Sequence, residues 1–326
     1  MAVPANVVVA SSRANKAEQV AKTIANISPF ETPAVSMAKM VNATARTYEF
    51  LIDTLVAASD NKHLDGDVDT IDASPSVTRQ SQRMQILKKS AGVSGSTSAI
   101  ETYGVANELA YNMAKKSKEL KTDLEKAAVG NQVSTIGNTT TASAMGGLET
   151  YIKTNIKYSG TQGSATTPGW ASGDTGTVVD VAAGNLNAFT EPMLKDAIQS
   201  AWQNGATPNV LLASGANRAR VSAFTGVAAL YRDTNGKNTA SILASASVYI
   251  SDFSGVEGMR IMPDRHVRSS VALGIDPEYL QIAFLRNYSE YDLAVTGDFR
   301  SKTLLCEAGI IPTNEAAHFK IVGLTA

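Results

Sequence analysis

Between Asn107 and Asn131 the apolar residues Leu109, Met113, Leu120, Leu124 and Ala128 recur at gaps of three and four or multiples of these, and good helix formers fill most other positions. That spacing predicts an amphipathic helix, uninterrupted by proline and stopped by Gly130-Asn131. At 1.5 Å per residue it would be about 36 Å long. Its charged face carries Lys115, Lys116, Lys118 and Lys121 beside Glu119, Asp123 and Glu125. One buried stripe and one wet face make this a structural beam rather than a catalytic or recognition helix.

Upstream the pattern is different. Residues 1 to 45 hold no hydrophobic face of globular size: Lys16 to Asn26 reads as a short helix, and Pro29 and Pro33 break the next segment into extended or turning pieces. An arm with so little to bury alone is expected to pack mainly on neighbouring copies of the chain. From Arg46 the period becomes two, with Tyr48, Phe50 and Ile52 alternating against Thr47, Glu49, Leu51 and Asp53, which predicts a strand. A long tip comes next with Asp60, Asp65, Asp67, Asp69 and Asp72 against Lys62, and the returning segment carries Arg79, Arg83, Lys88 and Lys89 without an acid. A hairpin so long and so segregated in charge is expected to bind something, and the acidic tip suits a basic patch on a second copy. Its alternative is a solvated turn.

Downstream, residues 155 to 189 are rich in Gly, Ser, Thr and Asp and read as a surface loop. Thr190 then caps a helix with Pro192 at its second position; NVLLAS is a buried strand and GANRARVSAFTG the next helix. SVYISDF, MRIMP, VALGID, YLQIAFL, KTLLCEAGII and HFKIVGL complete the chain as strands. Helices alternate with strands first, then strands dominate, and the class is α+β.

Composition narrows the function. A formal net charge of −1 excludes the basic excess of a dedicated nucleic-acid binder, and no apolar run is long enough to span a membrane. The N-terminus lacks the basic residues of a signal peptide. Cys306 is the one cysteine, so no intrachain disulfide forms, and its apolar strand context reads as an inert thiol. With His63, His266 and His318 the only histidines and no nucleophile elbow, no triad assembles; phosphate-cradling loops and zinc spacings are absent too. Asn61 to Asp72 places Asp65, Gly66, Val68 and Asp72 on calcium-loop positions, but Asn61 stands first, His63 third, and no helix pattern flanks it, so an acidic turn is the reading. The spine lysines alternate with acids, which suits a solvated face and leaves only non-specific phosphate contact as a secondary role. Neither an enzyme nor a cofactor is expected.

The order of elements, together with ISPFETPAVSM, TYEFLIDTL, VSGSTSAIETYGVANELAYNMAKKSKELKTDLEKA, SVYISDFSGVEGMRIMPDR, DPEYLQIAFLRNYSEYDLAVTGD and NEAAHFKIVGL, resembles the major capsid protein of tailed bacteriophages, whose shell fold is shared with encapsulins and the herpesvirus capsid floor. The resemblance implies an N-terminal arm over 1–45, an extended β-hairpin loop over 46–98, and a peripheral domain over 99–185 with a spine helix at about 107–130. An axial domain over 186–285 and closing strands over 286–326 complete it. The implied function is a structural subunit of an icosahedral or prolate capsid, forming pentamers and hexamers around double-stranded DNA in the virion after assembly in the host cytoplasm. The alternative is an encapsulin-type shell around protein cargo. Implied partners are the chain itself, a separate scaffolding protein (the arm being too short to carry one), a portal, decoration proteins and DNA bound without sequence specificity. Candidate subunit-interface residues are Phe30, Tyr48, Phe50, Asp65, Asp67, Asp69, Arg79 and Arg83, and candidate DNA-facing residues are Lys115, Lys116 and Lys118.

Overall fold

The computed structural model describes residues 31–63, 65–66, 71–72, 74–100, 105–160, 170–171, 174–175, 186–224, 248–253 and 258–325. The helix expected over Lys16–Asn26 lies outside them, as does most of the Gly/Ser/Thr-rich stretch. In chain order the elements are α1 (Pro33–Met37), β1 (Lys39–Asn42), β2 (Thr47–Ile52), β3 (Thr78–Arg83), β4 (Gln85–Ser94), α2 (Gly95–Ala99) and α3 (Glu108–Val129). They continue with α4 (Leu148–Tyr151), β5 (Ile156–Tyr158), β6 (Trp170–Ala171), β7 (Asp174–Thr175), α5 (Glu191–Gln203), β8 (Val210–Ala213) and α6 (Gly215–Ser222). The last are β9 (Val248–Tyr249), β10 (Met259–Pro263), β11 (Val271–Ile275), β12 (Leu280–Asp292), β13 (Phe299–Pro312) and β14 (Phe319–Val322).

The beam forms as its spacing predicts. Asn107 caps α3, its side chain accepting from the Ala110 N–H at 3.0 Å, and Met113, Leu120, Leu124 and Ala128 are buried. Gly130 closes it with φ −74°, so no left-handed conformation is involved. Glycine is needed there for space: a Cβ on Gly130 would sit 2.7 Å from the Lys126 carbonyl oxygen, and one on the neighbouring Gly147 1.9 Å from the Gly130 carbonyl oxygen.

Two sheets carry most of the core. A six-stranded mixed sheet runs β5-β14-β11-β8-β10-β9. Its central strands are buried on both faces, and alternate residues feed different cores. Val210, Leu212, Val271, Leu273, Ile275 and Val322 join Leu124, Ala128 and Leu148 on one side. Leu211, Ala272, Phe319 and Ile321 join Leu194, Ile198 and Val221, from α5 and α6, on the other. The second sheet, β1-β12-β13-β4, is built on the long antiparallel pair β12–β13, whose buried ends lie beneath α3 and whose far ends are exposed.

Of the arm expected to pack mainly on neighbouring copies, residues 1–30 lie outside the described residues; within 31–45, Ala34, Val35 and Ala38 are buried in this subunit's own core, and β1 pairs in parallel with β12. Pro33 occupies the first turn of α1, where its missing N–H costs nothing. Glu125 was expected on the wet face of α3, yet it is fully buried, because α1 covers that flank of the helix.

Candidate functional site

Strands β2 and β3 pair antiparallel from Thr47–Arg83 to Ile52–Thr78, forming a hairpin that leaves the body at Met84. Immediately after Met84 the chain enters β4, which pairs with β13 in the second sheet, so the returning segment divides into a free ribbon and a strand of the body. At the hairpin's base Tyr48 and Phe50 are half-buried on a small cluster of Ala43, Met84, Ala283 and Ile311.

Gln82 fixes that base. Its side chain is fully buried; Nε2 donates to the carbonyls of Gly146, at 3.1 Å, and of Ile310. Its Oε1 accepts from the N–H groups of Arg83 at 2.9 Å and Gly146 at 3.2 Å, and from the Tyr151 hydroxyl at 2.5 Å. Nothing in the sequence marks it, since a glutamine in TRQSQR reads as a solvent-facing strand position. Beyond the base the ribbon has little to lean on: Leu51, Val56 and Val77 are exposed, and Leu55 is 96% exposed.

The charged candidates separate by place. Arg79 pairs across the hairpin with Glu49 at 3.3 Å, and Arg83 donates to the Thr47 hydroxyl. Lys89, on β4, is engaged by the spine: it pairs with Asp123 at 2.7 Å, and that hydrogen bond raises its pKa. At the tip Asp60 holds Lys62 at 2.8 Å, and Asp65 is exposed. Phe30, Asp67 and Asp69 lie outside the described residues, as does Val68 of the calcium-loop pattern, in which the His63 ring bonds Asn61 at 2.5 Å.

On the spine, Lys115 lies over the Tyr111 ring at 4.7 Å, Lys121 over Tyr288 at 5.9 Å, and Lys116 pairs with Glu119 at 2.8 Å, while Lys118 is exposed. Partners on the same surface soften the row, so it offers diffuse positive charge rather than a defined phosphate seat. Among buried groups, Cys306 is fully enclosed and burial pushes its thiol up to about 12, while burial holds His318 down at about 4. A protonated thiol and a neutral imidazole whose Nδ1 accepts from the Asp276 N–H suit packing, not proton transfer. Among the described residues no helix is long and apolar enough to cross a membrane.

The geometry therefore presents a rigid body, a firmly rooted ribbon with uncovered apolar side chains, and an arm root seated on the spine. Comparison with known proteins gives that arrangement a context. A family model described as SU10 major capsid protein matches residues 5–325. The major capsid protein of Escherichia phage Phieco32 is 33% identical over 117 residues, covering 35% of this chain and 33% of that protein, so the match spans about a third of that relative's length. Among solved structures, the capsid asymmetric unit of cyanophage A-1(L) superposes with a TM-score of 0.70 at 13% identity, covering 95% of this chain and 98% of that one. A structure from Mycobacterium phage Adephagia gives a TM-score of 0.61 at 13% identity, with 99% of each chain covered. At such identities these two likenesses speak to the fold, which is the α+β shell fold expected from the sequence.

Proposed function

We propose, from the premise that the chain belongs to the SU10 major capsid protein family, that it is the structural subunit of a phage capsid, assembling with copies of itself in rings of five and six into a closed shell around double-stranded DNA. The observation that carries the reading is the extent of the family match, which runs through arm, hairpin, spine and both sheets. The hairpin supports it physically. Its outer apolar residues are uncovered in the single subunit, and a second copy laid against them would remove them from water at roughly 25 cal/mol per Å².

In this reading 1–45 is the arm, 46–98 the extended loop together with β4, the strand by which it re-enters the body, 99–185 the peripheral domain, 186–285 the axial domain and 286–326 the closing strands. The hairpin, with Tyr48, Phe50, Arg79, Arg83 and the acidic tip at Asp65, Asp67 and Asp69, supplies subunit contacts; Phe30 does so from the arm. Lys115, Lys116 and Lys118 face packaged DNA without reading its sequence. The subunit works without catalysis, alongside a separate scaffolding protein, a portal and decoration proteins, and it is built into virions in the host cytoplasm.

Electron microscopy of the purified full-length protein, alone and with its scaffolding protein, tests this. Closed shells of uniform size are expected. A small soluble oligomer at every concentration and with every helper would overturn it, and shells that enclose protein cargo in place of nuclease-protected DNA would indicate an encapsulin-type container.

A further inference from the structure

Beside its apolar packing, the root of the arm is hydrogen-bonded to the spine through the Glu125 side chain. The N–H groups of Ala34 and Val35 donate to Oε1 and Oε2 of Glu125 at 2.7 and 2.8 Å. Glu125 is fully buried, and Asp264, in the turn after β10 and itself 2% exposed, is the carboxyl whose charge acts on it. Asp264 Oδ1 accepts from the His266 N–H at 2.8 Å, while its buried Oδ2 has no hydrogen-bond partner among the described residues. Ala34, Val35, Leu124, Ala128 and Val267 belong to the apolar cluster around the two acids.

The other charged groups nearby are turned elsewhere. Helix α1 brings backbone N–H groups and no titratable side chain, and its flanking Glu31 and Lys39 are exposed. On the spine, Lys121 lies over Tyr288, and Lys126 and Asp123 line an outer groove. On the turn, Arg265 is exposed, and His266 and Arg268 line that same groove, with Arg268 paired to Glu149. No cation therefore neutralises the two acids at close range among the described residues.

We propose that α1 seats on the spine through a proton held between Glu125 and Asp264: with it the pair carries a single negative charge and Oδ2 gains a partner, and without it two like charges face each other in an apolar site and the seat loosens. Burial, the largest influence, pushes the Glu125 carboxyl up to about 7; the two N–H bonds pull it down and Asp264 pushes it further up. An unseated Glu125, near its ordinary value of 4.5, is ionised over a range where the seated one is protonated, so seating takes up a proton between about pH 4.5 and 7 and weakens as pH rises through that window. The device lies within one subunit and does not depend on the shell reading.

Hydrogen exchange measured on the full-length subunit by mass spectrometry, corrected for intrinsic rates, reads the two donor amides directly. In the wild type, protection of a peptide spanning residues 32–38 should fall between pH 5 and 7 with a limiting slope of about tenfold per pH unit, then level off, relative to a core peptide spanning 210–213. Glu125→Gln should remove that slope, and Asp264→Asn should make the fall level off at a lower pH than in the wild type. A wild-type profile flat from pH 5 to 8, a Glu125→Gln profile that keeps the wild-type slope, or an Asp264→Asn profile that levels off at the wild-type pH would overturn the proposal; where Glu125→Gln does not fold, Asp264→Asn decides alone.

Discussion

The Tyr151 hydroxyl donates to Gln82 Oε1 at 2.5 Å, joining the base of the hairpin to the short helix α4 across 69 residues of sequence. That bond belongs to a buried polar cluster in which Gln82 both donates and accepts, so the ribbon is rooted by hydrogen bonds where its thin apolar cluster would not suffice.

Gln82→Ala should therefore destabilise the subunit by about 3 kcal/mol or more, because the Tyr151 hydroxyl and the backbone groups of Gly146 and Ile310 lose their partner in a buried site. Urea unfolding monitored by circular dichroism measures it. A change within about 0.5 kcal/mol, the ordinary size for a surface substitution, would mean that the cluster is dispensable.

Leu120 is fully buried in the apolar stripe of α3. Leu120→Asp would place an unpaired charge there at a cost of several kcal/mol, so loss of the folded subunit is expected, and not merely loss of assembly. An unchanged melting temperature would contradict the assignment of the buried face.

Much of the fold is legible in the chain. The spacing of Leu109 to Ala128, the alternation from Tyr48 to Ile52 and the short apolar runs of β8, β11 and β14 each state their element through a period that burial imposes. The polar interior escapes. Glu125 comes after Leu124 on the flank of the stripe, and only the docking of α1, 91 residues away in sequence, buries it. Lys320, in the middle of β14, reads as a solvent-facing position; it is fully buried, and its Nζ donates to the Glu149 carbonyl at 2.6 Å. Periodicity reports which face is apolar, not which polar groups find partners inside. The division of the returning segment at Met84 was hidden for a related reason: pairing of β4 with β13 is long-range and leaves no local signature.

Two buried groups give opposite pH dependences. His318 is held down at about 4 by burial, against an ordinary value of 6.5, so the unfolded chain binds a proton that the folded one refuses, and stability is lost as pH falls from 6.5 through 4. At 1.36 kcal/mol per unit this amounts to about 3 kcal/mol. Glu125 acts in the other direction, its contribution being lost as pH rises from 4.5 through 7. His318→Asn, whose Oδ1 can replace Nδ1 as acceptor for the Asp276 N–H, should retain more stability than the wild type on going from pH 7 to 4.5. Parallel urea-stability profiles for the two proteins would contradict the assignment.

The acidic tip should matter to assembly rather than to folding. Single rim ion pairs contribute roughly 0 to 1 kcal/mol, but a closed shell repeats each contact at every subunit. Changing Asp65, Asp67 and Asp69 together to Asn should slow assembly at low salt and remove most of its salt dependence, as screening does when the Debye length falls from about 10 Å at 0.1 M to 3 Å at 1 M. Identical light-scattering curves against salt for variant and wild type would leave the tip as a solvated turn.

The most direct measurement is a cryo-electron-microscopy reconstruction of the assembled particle that locates residues 47–83 relative to the subunit they belong to. The account predicts rings of five and six subunits in a closed shell, with Leu51, Leu55 and Val77 of each hairpin covered by a neighbouring copy. A particle in which the hairpin folds back on its own subunit, or in which those side chains stay exposed to solvent, would contradict it.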